Sequence, residues 1–505
     1  MAETMSEDLV GIGFELAITA TIIVVLVMDL ILRAHPRRRL FLGCVSALGL
    51  VVAALLIPSV PEAAPDAGSL FGGMLAHDGF ALFFKGLFVV AALLGVGFGA
   101  LSSEITKERF GEYLILILCL TLGLALLVSA QNLLMIFLAI ELVSLPSYIL
   151  TGFRRGDRRS SEAALKYVVY GAAASGLMLY GFSLVYGLTG TLALADIGPA
   201  LFAAAADGGI AAQVGVTMAA LLSIAGFGFK VAAVPFHMWC PDVYEGAPTP
   251  FVAFLSVAPK ASGIAALLRF FFVGFGVQET FMAPGAFPWP AIIGLMAVAT
   301  MTIGNLAALH QENVKRLLAY SSIAHAGYLL MGLAVGTPEA MRAVMLYLPI
   351  YLLMNMGAFL AVMAVRARTG SESVTAFKGL GATCPLIAVP LTVFLFSLVG
   401  IPPFAGFIAK FYLFLAVLQT GLPFFYVLAV IAVVNTAISL FYYARIARAM
   451  FLEQPAEGAV ERSEQLDLAS AGLLAVLAVP TLILGVYWAP LAGLVDRTAT
   501  LLGAF

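Results

Sequence analysis

The sequence predicts an all-α polytopic membrane protein, and three observations carry this prediction. The 505 residues are 62% hydrophobic and 11% charged, with a mean hydropathy of +1.06, whereas soluble globular chains carry about 25% charged residues. Apolar runs of about 20 residues, the length that crosses a bilayer as a helix, follow one another with short connections. Ionisable side chains nevertheless stand inside several of these runs, where each charge costs at least about 2.5 kcal/mol.

Counting the apolar runs predicts about fourteen transmembrane helices. The acidic start of the chain is unlike a secretory signal, which begins with a basic region, so the first run is expected to be a retained helix. Little of the chain is left for a soluble domain. The expected helices cover residues 10–32, 40–57, 79–101, 112–129, 131–151, 162–188, 212–238, 250–275, 289–308, 317–335, 341–365, 385–416, 423–449 and 468–493.

The distribution of lysine and arginine predicts the orientation of these helices. The loops after the odd-numbered helices hold most of the 26 basic residues, whereas the opposite loops hold Arg269, Arg342 and Arg497. Because basic residues collect in cytoplasmic loops, the loops after odd-numbered helices are expected to be cytoplasmic. Both termini are then expected to face outward.

Two of the predicted helices are interrupted. Pro235 follows Lys230 in the seventh helix, and Gly400 with Pro402 precedes Lys410 in the twelfth. Such breaks are tolerated in a membrane only where neighbours or water satisfy the freed backbone groups, and paired broken helices are typical of inverted-repeat transporters. The expected organisation is a three-helix segment (1–111), a first inverted five-helix repeat of helices 4–8 (112–275), a second repeat of helices 9–13 (289–449), and a cytoplasmic loop with the last helix (450–505).

The ionisable residues inside the helices are candidates for a path that carries protons or ions. A relay needs groups that hold or release a proton and that water can bridge. A Glu141–Lys230 pair that opens and closes would switch the lysine between retaining and releasing its proton. The alternative is a set of structural ion pairs, but three lysines and one glutamate cannot all pair. The candidate relay residues are Glu141, Lys166, Lys230, Lys260, His325 and Lys410, with His237 as a possible member.

Other charged residues have simpler interpretations. Lys166 stands close enough to its helix end to extend its ammonium to the surface, so its place in the relay stays open. His237 could equally serve at an interface or a helix cap. The residues expected to act as snorkelling, boundary or solvated loop cations are Lys85, Arg269, Arg342, Lys315 and Arg316.

Redox cofactors and metal ions are not expected in this chain. The four cysteines are scattered singly, and no C-x-x-C spacing suggests an iron–sulfur cluster or a zinc site. No basic patch with interleaved aromatic residues supports nucleic-acid binding.

Three stretches resemble a known family. They are Lys230-Val-Ala-Ala-Val-Pro-Phe-His-Met-Trp-Cys-Pro-Asp-Val-Tyr-Glu-Gly-Ala-Pro-Thr-Pro with the following Lys260, Asn313-Val-Lys-Arg-Leu-Leu-Ala-Tyr-Ser-Ser-Ile-Ala-His325, and Gly400-Ile-Pro-Pro-Phe-Ala-Gly-Phe-Ile-Ala-Lys410. They are similar to signatures of the antiporter-like subunits of respiratory complex I. Within that family the chain resembles the N type: it has no room for the long lateral helix of the L type, and the M type usually carries glutamate where Lys410 stands.

The resemblance implies roles, cofactors and partners. It implies that Glu141 and Lys230 form a switching pair, that Lys260 is the central relay residue, that His325 continues the path and that Lys410 leads to the outside. It also implies a bacterial inner-membrane enzyme that oxidises NADH and reduces quinone. The flavin, the iron–sulfur clusters and the quinone would be held by other subunits, and neighbouring antiporter-like subunits would be the partners.

Three alternatives remain open at this point. A subunit of a stand-alone sodium/proton antiporter assembly would share the fold. A scaffold subunit would conduct nothing. A solute transporter is disfavoured, because no polar set of residues large enough for a substrate stands at mid-membrane.

Overall fold

The structure, a computed structural model, is a bundle of membrane-length helices. It describes residues 8–57, 68–207, 209–275, 288–454 and 467–499, with the side chains of 202, 204–207 and 209–212 left out. The helices are α1 (Gly13–Ile31), α2 (Arg38–Leu55), α3 (Gly79–Leu101), α4 (Phe110–Ser129), α5 (Leu133–Thr151), α6 (Arg158–Thr189), α7 (Leu194–Asp207), α8 (Gly209–Val231), α9 (Trp239–Gly246), α10 (Thr249–Gly274), α11 (Trp289–Ala308), α12 (Val314–Val335), α13 (Pro338–Thr369), α14 (Leu380–Thr383), α15 (Pro385–Val399), α16 (Ala405–Gln419), α17 (Pro423–Leu452), α18 (Leu468–Val486) and α19 (Ala489–Thr498).

The predicted all-α membrane fold is confirmed. Among the described residues, thirteen helices are long and apolar enough to cross a membrane, and the two shorter apolar helices α15 and α16 divide the predicted twelfth span between them. Short 3₁₀ turns lie at Lys107–Arg109 and Val374–Phe377. Most predicted spans overlap one observed helix, because most runs of apolar residues end at a charged or Gly/Pro-containing connection.

Both predicted breaks are present. In the seventh span the helix α8 ends at Val231, before Pro235, and the short helix α9 begins at Trp239, just beyond the predicted end at 238. The twelfth span divides into α15 and α16. Neighbouring side chains satisfy the freed backbone: the Thr300 hydroxyl accepts from the Val234 amide at 3.0 Å, and the Trp239 indole donates to the Phe229 carbonyl at 3.0 Å. In the second break, the Ser397 hydroxyl accepts from an amide of α16 at 3.0 Å. Protein groups therefore take the place of the water that a membrane interior lacks.

Several elements were not predicted, among them the short helices α7, α9 and α14. Helix α7 is too short to span a membrane, and Pro199 interrupts its apolar pattern. The predicted last helix is two helices, because the chain leaves helical geometry after α18 and restarts at α19 with Pro490 in its first turn. A small antiparallel hairpin pairs β1 (Ser69–Leu70) with β2 (Leu75–Ala76).

Matching turns at two places support the predicted repeats. Helices α6 and α13 both have 32 residues, and each ends in threonine before a left-handed glycine. After the first, the Leu133 amide donates to Leu192 and the Leu194 amide to Gln131, both at 2.9 Å. After the second, two backbone bonds of 2.8 Å join Val314 to Glu372 and Val374 to Glu312 in the same arrangement. The inverted repeats and their boundaries stay a prediction.

The two turns lie at opposite ends of the bundle. The first is beside the β1–β2 hairpin, to which Leu75 joins it through a bridge with Ala130; this end is called the hairpin end. The second is beside Arg366, which pairs with Glu104; this end is called the arginine-rich end. An inverted repeat requires this placement, because each repeat has an odd number of spans.

The core of the bundle lies around α10. This helix is buried along its whole length, and α12 and α13 are buried over most of theirs. The mid-membrane lysines predicted for the relay lie on α10 and on two helices at the breaks, α8 and α16.

Candidate proton-relay site

The three predicted mid-membrane lysines are buried inside the protein. Lys230 is 2% exposed, and Lys260 and Lys410 are 3% exposed. Lys230 stands in the last turn of α8, Lys260 in the middle of α10 and Lys410 in the second turn of α16. Their ammonium groups therefore lie among protein groups and do not reach lipid.

Lys230 has a hydroxyl as its hydrogen-bond partner. Its Nζ donates to the Oγ of Ser144 on α5 at 3.2 Å, and Ser144 donates to the Ile140 carbonyl at 2.7 Å. Glu141 stands one turn before Ser144 on α5, and no ion pair of 4.0 Å or less joins it to Lys230. Glu141 Oε1 is buried without a hydrogen-bond partner. The structure therefore does not show the predicted ion pair closed, and the switching role of Glu141 and Lys230 stays a prediction.

Lys230 and Lys260 lie on neighbouring helices that approach closely at Gly263. A Cβ at Gly263 would lie 3.3 Å from Lys230 Cγ and 2.8 Å from Val231 Cγ1. Gly263 follows Lys260 by three residues on α10, about one turn. The glycine therefore leaves room for the Lys230 stem beside the helix that carries Lys260.

Lys260 also has a hydroxyl partner. Its Nζ donates to Ser322 Oγ on α12, and Cys240 Sγ lies at 4.0 Å. The Tyr244 ring centroid lies 5.8 Å from the ammonium, and the Tyr244 hydroxyl is 3.3 Å from Ser322 Oγ. Lysine, serine and tyrosine thus form a buried polar cluster at the centre of the bundle.

One face of α12 connects Lys260 to Lys410. Ser322, His325 and Tyr328 follow at intervals of three residues, which places them on one side of the helix. His325 Nδ1 is 2.5 Å from the Tyr347 hydroxyl, and the Tyr328 ring centroid lies 4.5 Å from the Lys410 ammonium. His325 therefore lies one turn from Ser322, the partner of Lys260, and one turn from Tyr328, whose ring lies beside the Lys410 ammonium. Its part in a proton path stays a prediction.

Lys410 completes this line at the second break. Its Nζ donates to the Val399 carbonyl at 2.8 Å and to Thr436 Oγ1 at 3.5 Å. Val399 ends α15, and the carbonyl end of a helix favours a cation. The Lys410 stem passes over Gly400, where φ is +89° and a Cβ would lie 2.9 Å from Lys410 Cδ. Glycine is required here both for the backbone conformation and for the lysine.

A second buried network supports the Lys410 region from α11 and α17. Asn305 Nδ2 donates to Asn435 Oδ1 at 3.2 Å, and the Tyr442 hydroxyl donates to Asn305 Oδ1 at 2.9 Å. The next residue after Asn435 is Thr436, whose hydroxyl lies 3.1 Å from that of Tyr328. The network fixes the helix that presents Thr436 to Lys410.

The other two predicted residues lie off this line. Lys166, whose side chain is 39% exposed, pairs with Glu162 at 2.9 Å and Asp242 at 2.8 Å. It lines a cavity of about 200 Å³ with Glu245 at the arginine-rich end. His237 lies in the connection between α8 and α9, and its Nδ1 is buried without a hydrogen-bond partner.

Several cations expected at boundaries or in solvated loops are buried ion pairs instead. Lys85 pairs with Glu15 at 2.8 Å, Arg269 with Asp78 at 2.8 Å and Lys315 with Glu372 at 3.2 Å. Sequence position alone was misleading here, because the acidic partners come from distant segments. Arg316 pairs with Asp242 and Glu245, whereas Arg342 remains 45% exposed near a helix end, as expected.

The Lys315–Glu372 pair belongs to a wider ion network at the arginine-rich end. Burial alone would raise the pKa of Glu372, but Lys315 and Arg366 outweigh it and hold that pKa below its ordinary value. Arg366 also pairs with Glu104 at 3.2 Å, and Glu104 accepts from the first amide of α10 at 2.9 Å. The network anchors the helix of Lys260 at its first turn.

Sequence reasoning missed the neutral members of the site. Ser144, Ser322 and Thr436 are the hydroxyl partners, and buried tyrosines surround His325. The sequence pattern that could have indicated them is a polar residue that recurs once per turn in an apolar helix. Serine and tyrosine are common enough in such helices that this signal does not stand out without the contacts.

No cluster of three or more histidine, cysteine, aspartate or glutamate side chains that could hold a metal ion occurs within the described ranges. The polar groups of the site are lysine, histidine, hydroxyls and one carboxylate. These are groups that transfer protons and donate or accept hydrogen bonds.

Comparison with known proteins assigns the family. The family described as "NADH:quinone oxidoreductase/Mrp antiporter, TM" matches residues 130–438. NADH-quinone oxidoreductase subunit N from an Anaeromyxobacter species is 47% identical, covering 94% of each chain. Subunit N 2 from Sorangium cellulosum is 45% identical, covering 97% of this chain and 96% of the relative.

Solved structures have the same architecture. A chain of respiratory complex I from Thermus thermophilus with bound aureothin superimposes with a TM-score of 0.76 at 32% identity, covering 95% of this chain and 98% of that chain. A chain of the Mrp complex from a Dietzia species gives a TM-score of 0.81 at 25% identity, with 98% and 97% covered. The chain therefore belongs to the membrane-spanning family shared by NADH:quinone oxidoreductase and Mrp antiporters, within the group of N subunits.

Proposed function

We propose that this chain is a proton-translocating membrane subunit of NADH:quinone oxidoreductase. The observation that carries the proposal is the buried polar line from Lys260 through Ser322, His325 and Tyr328 to Lys410. Lys230 joins the line beside Gly263, with Glu141 as the adjacent acidic group. A proton would pass from one of these groups to the next, with water bridging the gaps between their hydrogen-bonding atoms.

The free energy for moving protons against the membrane potential must come from outside this chain. Moving one charge against 100 mV costs about 2.3 kcal/mol, and quinone reduction elsewhere in the complex would supply it. NADH, FMN, iron–sulfur clusters and quinone would be bound by other subunits. This chain would contribute the coupled proton path.

Glu141 is the proposed coupling element because it lies at an outward-facing surface of α5. Leu134, Leu138, Leu145 and Ile149 on the same helix are exposed apolar residues, and Glu141 lies in their row at intervals of three or four. A neighbouring antiporter-like subunit that packed on this row would bring its own charges close to Glu141. Closing or opening the Glu141–Lys230 pair would then pass the signal between subunits.

The proposed location is the bacterial cytoplasmic membrane, with the arginine-rich end on the cytoplasmic side. This end holds basic residues such as Arg154 in a connection, Arg366 in the last turn of α13 and Arg445 in the last third of α17, and basic residues favour the cytoplasmic side. Both termini would then be periplasmic. Lys166, with its acidic neighbours, would lie at the cytoplasmic mouth of the path, and His237 would lie near its first break.

A sodium/proton antiporter subunit is the second candidate, and the likeness to the Mrp chain favours it. The N-subunit relatives share far more identical residues, so the oxidoreductase subunit is preferred. Gradient formation driven by NADH oxidation, in membranes where no sodium gradient is imposed, would distinguish the two.

The test replaces Lys260 with alanine in the assembled complex reconstituted in liposomes. The measured quantity is the number of protons moved for each NADH oxidised. The proposal predicts a lower ratio or a loss of coupled turnover, because the central relay group is gone. Lys378→Ala, at a partly exposed surface pair with Glu453, is the matched control. A normal ratio in Lys260→Ala would mean that the chain is a scaffold.

A further inference from the structure

We infer that Ser144, Ser322 and Thr436 are switching partners of the three relay lysines, an inference that rests on the proposed function. Each lysine ammonium donates to one of these hydroxyls: Lys230 to Ser144 at 3.2 Å, Lys260 to Ser322, and Lys410 to Thr436 at 3.5 Å. Lys410 also donates to the Val399 carbonyl at 2.8 Å, so Thr436 is the longer of its two contacts. Among the described residues, no carboxylate lies within 4.0 Å of these three amines.

The chemistry of a hydroxyl suits a lysine that changes its protonation state. An ammonium group only donates hydrogen bonds, and an ionised carboxylate only accepts them, whereas a hydroxyl does both. While the lysine is charged, its N–H donates to the hydroxyl oxygen. When that proton leaves for the next acceptor on the path, the N–H bond breaks and the amine nitrogen keeps the electron pair. The hydroxyl can then rotate and donate its own proton to that lone pair without transferring it.

Two of the three hydroxyls have a second acceptor that makes this rotation possible. Ser144 donates to the Ile140 carbonyl at 2.7 Å, and Thr436 donates to the Ala432 carbonyl at 3.0 Å. Ser322 has Tyr244 as its other hydroxyl neighbour at 3.3 Å. Each hydroxyl proton therefore has an acceptor while the lysine is charged. The lysine nitrogen has a hydrogen-bond donor after it becomes neutral.

The pairing is not a general property of hydroxyls in these helices. Thr481 is buried and bonds the carbonyl one turn back at 2.7 Å, the ordinary behaviour of serine and threonine in membrane helices. The switching hydroxyls differ because a lysine from another helix reaches each of them. They lie on α5, α12 and α17, whereas the lysines lie on α8, α10 and α16.

The test is a series of substitutions at Ser322 in the assembled complex. Ser322→Thr keeps the hydroxyl and should retain the proton-to-NADH ratio and the rate. Ser322→Ala removes it and should lower coupled turnover by about tenfold, the size expected for a lost hydrogen bond to a charged group. Ser322→Asp supplies an acceptor that never donates while ionised. The carboxylate should keep Lys260 protonated, so coupled turnover should be lost near neutral pH. Any activity should be found only at higher pH.

Three outcomes overturn the inference. They are equal rates and pH profiles for Ser322→Ala and Ser322→Thr, normal proton transfer in Ser322→Asp, and a loss in Ser322→Ala that disappears when the rate is divided by the amount of assembled complex. Thr481→Ala is the control for removing a buried hydroxyl. Lys260→Ala is measured beside the series: normal pumping there would refute the proposed function, whereas its loss together with inert Ser322 variants would refute the switching role alone.

Discussion

Two groups of buried cations in this protein differ in the partners they have. The relay lysines donate to hydroxyls, whereas cations away from the relay pair with carboxylates. The first group comprises Lys230, Lys260 and Lys410, and the second comprises Lys85, Arg269 and Lys315. Both groups are almost fully buried, so burial does not separate them.

Under the proposed function, partner chemistry, and not burial, would distinguish a structural cation from a relay residue. A carboxylate within ion-pair distance stabilises the charged form of its partner and keeps the proton in place. A hydroxyl stabilises either form. The pairs at Lys85, Arg269 and Lys315 therefore fix helices to one another, and the hydroxyl-bonded lysines remain able to exchange protons.

The largest expected effect is on stability, from removing the carboxylate of a structural pair. Glu15→Gln leaves Lys85 buried without its counter-ion, and loss of one partner from a buried pair costs about 3–5 kcal/mol. We expect a lower unfolding temperature and less assembled complex, measured by thermal unfolding and by purification yield. The complex that does assemble should move protons at the normal ratio.

The matched control is Glu453→Gln, whose carboxylate pairs with Lys378 at the protein surface. Exposed pairs are screened by solvent and contribute little to stability, so the unfolding temperature should change little. A normal yield with a reduced proton ratio in Glu15→Gln would place this pair in the proton path and break the distinction between the two groups.

The next effect is on coupling, from Glu141→Gln. The substitution removes a charge that has no ion pair to lose, so assembly should be retained. Without the field of Glu141, the switching of Lys230 should fail, and coupled proton transfer should fall by about tenfold or more. Proton transfer by the reconstituted complex measures this, with Glu453→Gln, in the surface pair with Lys378, as the control. Unchanged pumping would exclude Glu141 as the coupling element.

The smallest effect is a dependence of stability on acid. The pKa of Glu372 is held below its ordinary value in the folded protein. Its contribution to stability is therefore complete above the pKa of the unfolded chain, near 4.3, and is lost as the pH falls through the folded value. Unfolding temperatures measured from neutral to acid pH should show this loss. Glu372→Gln should weaken the pH dependence, and an unchanged curve would contradict the assignment.

Much of the fold could be predicted because membrane helices follow from hydropathy. Length and apolar composition place the spans, and Pro235 and Gly400 mark the two breaks. Helix α7 could not be found in this way, because its 14 residues are too few to match the thickness of a bilayer. The hairpin has strands of two residues, which are too short for a recognisable pattern.

The site could be predicted only in its charged members. Lysine in an apolar run is conspicuous, so Lys230, Lys260 and Lys410 could be identified from the sequence. Whether a buried cation has a carboxylate partner depends on contacts between distant segments, such as the 70 residues that separate Glu15 from Lys85. For this reason Lys85 was misassigned and the hydroxyl partners were missed.

The protonation state of the buried lysines during turnover tests the central claim most directly. Infrared difference spectra of the assembled complex, recorded while NADH is oxidised, follow the ammonium bands of lysine. The account predicts a transient loss of ammonium signal that is absent in Lys260→Gln and retained in Lys378→Gln. A signal that persists unchanged in Lys260→Gln, Lys230→Gln and Lys410→Gln would show that these lysines keep their protons, and would contradict the relay.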